Sequence, residues 1–345
     1  MTTSLTRSTP QRRRGAGTLD LAWVTWRQHR WLIVGTALAV AALAGFYLYT
    51  YFAAVALPPC GASCPDGGSS PALKDLIRRA GLTEYPVLVF AGFIAAFWGA
   101  PLLSQEFEHR THLWAWTQDI SATRWLTTRI LGLVAVITVL TSALGLAGTF
   151  ALRQLHELDS SAFPPFTSFV FGLWPPLQVA YALFGFALGV AVSAISRRTV
   201  ISMLVTLLGF TAVRFFVAEY LRPHYLTPMR IGTPLGERAA DLGGEGLTVG
   251  TGYLNTSGET MRWSPVVDGC RAQADQVVGA TARYSEHQAA LNSCLGQRGW
   301  TQTYLDYQPA ERLLSIQLIE TGIFLGLAIV LLAVALRLVH RMTTL

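Results

Sequence analysis

Residues 31–57 read WLIVGTALAVAALAGFYLYTYFAAVAL and contain no charged side chain. A helix needs about 20 such residues to cross the hydrocarbon core of a bilayer. Five further runs are long and predominantly apolar, at 85–104, 126–152, 173–195, 199–220 and 313–336. Backbone groups in lipid have no water to bond, so runs like these fold as helices. The expected fold is an all-α polytopic membrane protein with six transmembrane helices. Composition agrees, because only 13% of the chain is charged, against about 25% in soluble domains. Pro175 and Pro176 open the fourth run and suit a helix start.

Arginine near the ends of the runs sets the expected orientation. The N-terminal segment carries Arg7, Arg12, Arg13, Arg14, Arg27 and Arg30. Arg110, Arg124 and Arg129 lie in or beside 105–125, Arg197 and Arg198 in 196–198, and Arg337 and Arg341 after the sixth run. With six spans all four segments share one side, so both termini are expected in the cytoplasm. The formal charge of +6 does not point to nucleic acid, because the arginines form no stripe. The first run also has the basic flank of a signal peptide. Its 27 residues exceed the 7–15 or so of a signal core, so it is read as a span.

The cysteines check this orientation independently. Cys60, Cys64, Cys270 and Cys294 all fall on the outer side, where disulfides persist. Four cysteines allow three pairings. Cys60–Cys64 and Cys270–Cys294 are favoured, with four free thiols as the alternative. A straight helix from 270 to 294 would separate its ends by about 36 Å, far beyond a disulfide's reach of about 7 Å. A bridge there requires the chain to turn, at Gly279 or near Gln288.

Between the spans, residues 1–17 read as a disordered cytoplasmic tail. Residues 18–30 place Leu19, Ala22, Trp23, Trp26 and Arg30 on one helical face. That pattern predicts an interfacial helix on the inner leaflet, or else a plain extension of the first span. Residues 58–84 form an outer loop with one short helix, ALKDLIRRAG, ending at Gly81. Residues 153–172 form another outer loop, and 337–345 a cytoplasmic tail. Residues 221–312 are the one sizeable extracellular domain. They combine Gly-rich turns in DLGGEGLTVGTGYLN with an Ala-rich helical stretch over 271–295.

The search for chemistry finds no Walker A loop, because Lys74 is the only lysine and has no glycine loop around it. There is no HExxH, no GxSxG and no catalytic constellation. No cofactor and no metal site is expected in this chain. His109 and His112 share a helical face, but two imidazoles alone make a poor metal site. Charges inside spans are costly and are usually functional or paired. Arg214 and Glu320 are expected to pair, with Glu219 a weaker partner for Arg214. Gly185 and Gly189 form a GxxxG face for close packing.

Three stretches carry a resemblance: WVTWRQHR (23–30), GAPLLSQEFEHRTHLWAWTQDISATRW (99–125) and YQPAERLLSIQLIETGIF (307–324). In this order they resemble permease subunits of type-2 ABC exporters from actinobacteria. The resemblance implies a permease in the bacterial plasma membrane that moves cargo by alternating access. It implies a separate ATPase subunit, in two copies, that holds ATP and magnesium. It further implies a second permease, a homodimer in the simplest case, with a path at its interface lined from spans two and five. The cytoplasmic segment 105–125 would dock in a cleft of the ATPase. Glu106 and Glu108 match the family's two acids and Thr111 its threonine, while Arg110 stands where the family has glycine. Phe107, His109, His112, Leu113, Trp114 and Trp116 complete the coupling segment. An amphipathic or hydrophobic cargo (drug, lipid or peptide) is expected. The rival readings are a receptor whose outer domain binds a ligand, and an intramembrane enzyme.

Overall fold

The computed structural model describes residues 18–57, 70–108, 122–237, 242, 244–262, 264–279 and 283–343. The first helix, α1 (Thr18–Val55), is continuous. The interfacial helix expected over 18–30 is therefore not a separate element but the first part of α1. The reason is local: no Gly or Pro occurs from Thr18 to Val34, so nothing ends the helix where the apolar run begins.

The second span is assembled from pieces. Helix α2 (Pro71–Gly81) starts where the Ser70 hydroxyl accepts from the Leu73 N–H at 3.2 Å. Helix α3 (Glu84–Ile94) follows, then a π turn at Ala95–Gly99, then α4 (Pro101–Glu108). Pro101 explains the π turn. Its ring would meet the carbonyl four residues back, and the helix widens just before it, with the Ala100 N–H reaching the Ala95 carbonyl at 3.1 Å.

Helix α5 (Ala122–Leu158) forms the third span, and the short α6 (Ser168–Leu173) precedes α7 (Pro175–Ser196), the fourth. Arg197 takes a left-handed conformation (φ 54°) and reverses the chain. Helix α8 (Thr199–Phe216) continues through a π turn at Val217–Leu221 and a 3-10 turn at Arg222–His224. A second 3-10 turn, Ala310–Arg312, opens α11 (Leu313–Thr343), the sixth span. Among the described residues, six helical stretches are thus long and apolar enough to cross a membrane.

Helix α7 is the centre of the bundle. Tyr181, Phe186, Ala187 and Val190 are fully buried on it, with α5, α8, α11 and the second span packed around it. Its glycines make the closest contact. A Cβ on Gly189 would lie 2.5 Å from the Ala100 nitrogen and 2.6 Å from the Ala95 carbonyl oxygen. One on Gly99 would lie 2.4 Å from the Phe186 carbonyl oxygen. The GxxxG face therefore packs backbone to backbone on the π turn of the second span.

Residues 229–308 hold a four-stranded antiparallel sheet in the order β1-β4-β2-β3. The strands are β1 (Met229–Pro234), β2 (Leu247–Asn255), β3 (Thr260–Met261) and β4 (Trp300–Gln308). Helices α9 (Pro265–Val278) and α10 (Tyr284–Gln297) pair beside it around Val267, Leu291 and Leu295. The turn between them starts at Gly279 (φ 78°), and Cys270 and Cys294 are bonded with Cα atoms 5.6 Å apart. The stretch 241–255 expected as turns thus contains β2. The domain is clamped to the spans: the Gln308 amide donates to the Pro223 and Leu226 carbonyls, and Arg312 to the Thr227 carbonyl at 2.7 Å.

Candidate functional site

Two clusters built around buried ion pairs stand out in the bundle. The first lies at its arginine-rich end, where α4 runs out. The Arg129 guanidinium, on α5, donates to the Glu106 carboxylate at 2.9 Å and lies 4.2 Å over the Trp125 ring. The Arg129 side chain is 4% exposed and that of Glu106 17%. Two residues on, Glu108 accepts from the Thr199 N–H at 3.1 Å and the Thr199 hydroxyl at 2.6 Å. Thr199 is the first residue of α8, so a carboxylate sits on the unpaired donors at a helix N-terminus. The end of the second span is thereby fastened to the starts of the third and fifth. A cavity of about 320 Å³ beside it is lined by Gln28, His29, Gln105, Glu106 and Arg129.

Both acids were expected to face a partner protein, and both also bond within their own chain. Arg129 and Thr199 carry no sequence signal for this, because each lies far along the chain from the acid it meets. Phe107 lies in α4, and nothing is described of its side chain. His109, Arg110, Thr111, His112, Leu113, Trp114 and Trp116 lie outside the described residues, as do Cys60 and Cys64. On α1, Trp23, Trp26 and Arg30 are exposed, with Arg27 stacked on Trp23 and Arg30 on Trp31. Leu19 is in the same helix.

The second cluster lies at the opposite end, under the sheet domain. Glu320 on α11 is 1% exposed and takes both donors of the Arg222 fork, at 2.9 and 3.0 Å. It also accepts from the Tyr181 hydroxyl on α7. The expected Arg214–Glu320 pair is therefore corrected, since the partner is Arg222. The helix does not stop at residue 220. Its π and 3-10 turns carry Arg222 inward, where it is 2% exposed over the Phe171 ring. Arg214 instead lies 3.4 Å over the face of Tyr181. Glu219 is exposed and enters no ion pair among the described residues. Gln317 donates to the Phe171 carbonyl at 3.1 Å, so α6, α7, α8 and α11 meet in one network.

At the end of the second cluster a cavity of about 470 Å³ opens beside α5, α6 and the start of α11, with Gln317 and Glu245 in its lining. Leu152, Phe163, Val170 and Trp174 supply apolar wall, and Arg153 and His156 supply polar groups. No group of three metal-ligating side chains exists among the described residues.

The sequence profile of the family described as "ABC-2 membrane transporter related" matches residues 30–222. That is more than half of the chain, and it runs from the start of the first span to the Arg222 that anchors the second cluster. The chain belongs to this family. No curated protein and no solved structure matches it. As an ABC-2 permease it is a multi-pass plasma-membrane protein and a transport subunit. The sheet domain and the sixth span lie outside the matched region. Glu320 nonetheless reaches back into the permease core, so the last span is integral to it.

Proposed function

We propose that this permease is the membrane half of an ATP-driven exporter for an amphipathic or hydrophobic cargo. It works with two copies of a separate ATPase subunit, which hold ATP and magnesium, and with a second copy of itself. The termini and segment 105–125 face the cytoplasm, and the sheet domain with its disulfide faces outward. The exposed apolar residues of α8, among them Val200, Leu204, Leu208 and Phe215, suit a second permease or lipid. The 470 Å³ cavity is in the size range of small-molecule sites.

The observation that carries this reading is the double fastening by Glu106 and Glu108. A partner that moves segment 105–125 pulls α4, and through the two acids it pulls the starts of α5 and α8. One displacement thus reaches three spans, through the part-buried Glu106–Arg129 bond and the exposed Glu108–Thr199 bonds. Trp114 and Trp116 are the apolar anchors on which the partner would hold. Glu106→Ala combined with Glu108→Ala is expected to abolish most of the cargo-stimulated ATP hydrolysis while the complex still inserts and assembles. Stimulation equal to wild type would refute the coupling role.

A further inference from the structure

The cavity of about 470 Å³ beside α5, α6 and the start of α11 has an uneven chemistry. Its donors are largely spent within the protein. The Thr149 hydroxyl donates to the Leu173 carbonyl at 3.3 Å, and the Gln317 amide to the Phe171 carbonyl at 3.1 Å. His156 bonds the Ala162 carbonyl through Nδ1 at 2.7 Å. A carbonyl only accepts, so Nδ1 carries the proton and the neutral ring keeps Nε2 as an acceptor. Two carboxylates, Glu157 and Glu245, share the lining with one cation, Arg153. Arg153 lies 3.4 Å from Glu157 with its side chain 77% exposed, so that partner and water take up its charge. What remains for a ligand is acceptors, with one carboxylate in excess.

The apolar wall includes two aromatic rings, Trp174 and Phe163. Phe163 is held at φ 52°, a left-handed conformation that a bulky side chain rarely takes. Such strain persists only where the surroundings fix it. Here the His156 bond ties down the preceding residue, and the sheet domain packs against the following one. A Cβ on Gly244 would lie 3.3 Å from the Pro164 Cγ, and Glu245 comes next in the chain. The sheet domain thereby brings a carboxylate to a cavity whose aromatic wall belongs to the bundle.

Aromatic faces and carboxylates around an apolar space are the chemistry that recognises an organic ammonium ion. We propose that this cavity binds a cation of that class, one ammonium group on an apolar body. The charge is met by Glu245 and Trp174, its N–H groups by Nε2 of His156, and the body by Leu152 and Val170. This gives the charge class of the cargo and rests on the exporter reading, although binding itself requires neither ATP nor an ATPase.

The test is calorimetric titration of the purified full chain in phosphatidylcholine nanodiscs, with phenethylammonium as the probe. Phenethyl alcohol, hydrocinnamate and phenylalanine are the neutral, anionic and zwitterionic comparisons of similar size. The ammonium ion is expected to bind saturably and more tightly than the other three. Glu245→Gln is expected to weaken it by up to about fivefold, and Trp174→Leu by about 2- to 30-fold. Arg153→Gln is expected to tighten it, because the one competing cation is gone. Glu245 and Arg153 are exposed, so their variants decide alone should Trp174→Leu fail to fold. No saturable binding, tighter binding of hydrocinnamate or phenylalanine, or weakening by Arg153→Gln would overturn the proposal. Affinity unchanged by Glu245→Gln would overturn it as well, because the cation would then bind elsewhere. Absence of binding leaves the coupling role of Glu106 and Glu108 standing, and loss of that coupling leaves this site standing, so the two failures are distinct.

Discussion

Replacing Glu320 by leucine removes the one carboxylate that three buried donors share. Arg222 then keeps its charge with its side chain 3% exposed and without a partner. Tyr181 loses its acceptor as well. Breaking a buried pair from one side costs about 3–5 kcal/mol. At roughly 2 °C per kcal/mol for a chain of this size, that is a fall in Tm of about 6–10 °C. The assay is unfolding of the purified permease in detergent, followed by tryptophan fluorescence. Arg222→Met together with Glu320→Leu removes both charges at once and is expected to regain most of the loss, because apolar side chains of similar volume replace a buried pair at little cost. Tyr181→Phe alone is expected to lower stability by about 1.5–3 kcal/mol, the range for a bond to a charged group. A Glu320→Leu variant as stable as wild type would refute the reasoning, since the network would then hold nothing.

Three further outcomes follow from the packing and the sheet domain. Gly189→Ala places a methyl group 2.5 Å from the Ala100 nitrogen and is expected to destabilise by about 1–3 kcal/mol, whereas Gly326→Ala, with nothing within 4 Å, is expected to be neutral in the same unfolding assay. Cys270→Ser with Cys294→Ser opens a cross-link of sequence separation 24 and is expected to cost about 3 kcal/mol in the chain-entropy account, read as protease sensitivity between α9 and α10. The Arg230 guanidinium, bonded to Asp306 at 2.7 and 2.8 Å, holds that carboxyl below the usual carboxylate range. Its contribution is therefore complete above the unfolded value of about 3.9 and disappears as pH falls through the lowered folded value. Arg230→Met is expected to flatten the acid side of the wild-type stability profile below about pH 4, and an unchanged profile would remove the assignment.

The spans were legible because their signal is compositional and long. What the sequence hid were the long-range partners. Arg222 lay two residues beyond the apparent end of the fifth run, so Arg214 looked like the only basic partner for Glu320. The π turn at Val217–Leu221 has no signature that separates it from ordinary helix. Tyr181 and Gln178 sat inside an apolar run, where only the fold reveals that they face charges. Gly185 and Gly189 did announce close packing, but their partner surface at Ala95–Gly99 depended on the kink before Pro101. In β2, Gly250 and Gly252 read as turn residues. The strand needs them because a Cβ on Gly252 would lie 2.7 Å from the Tyr304 ring, so tertiary contact outweighed a weak strand propensity. Glu106 and Glu108 were singled out by resemblance as acids of an expected docking segment, while their attachments to Arg129 and Thr199 required the bundle.

The central claim is that segment 105–125 carries the work of a separate ATPase to the spans. It is tested most directly by isolating the tagged permease from its own host, reconstituting it in lipid nanodiscs, and measuring ATP hydrolysis. The account predicts an equimolar nucleotide-binding subunit and hydrolysis that rises with cargo. It also predicts that both are lost in Trp114→Ala with Trp116→Ala while the permease itself stays folded. A permease that purifies without any nucleotide-binding subunit, or a complex whose hydrolysis ignores the double tryptophan change, would contradict it.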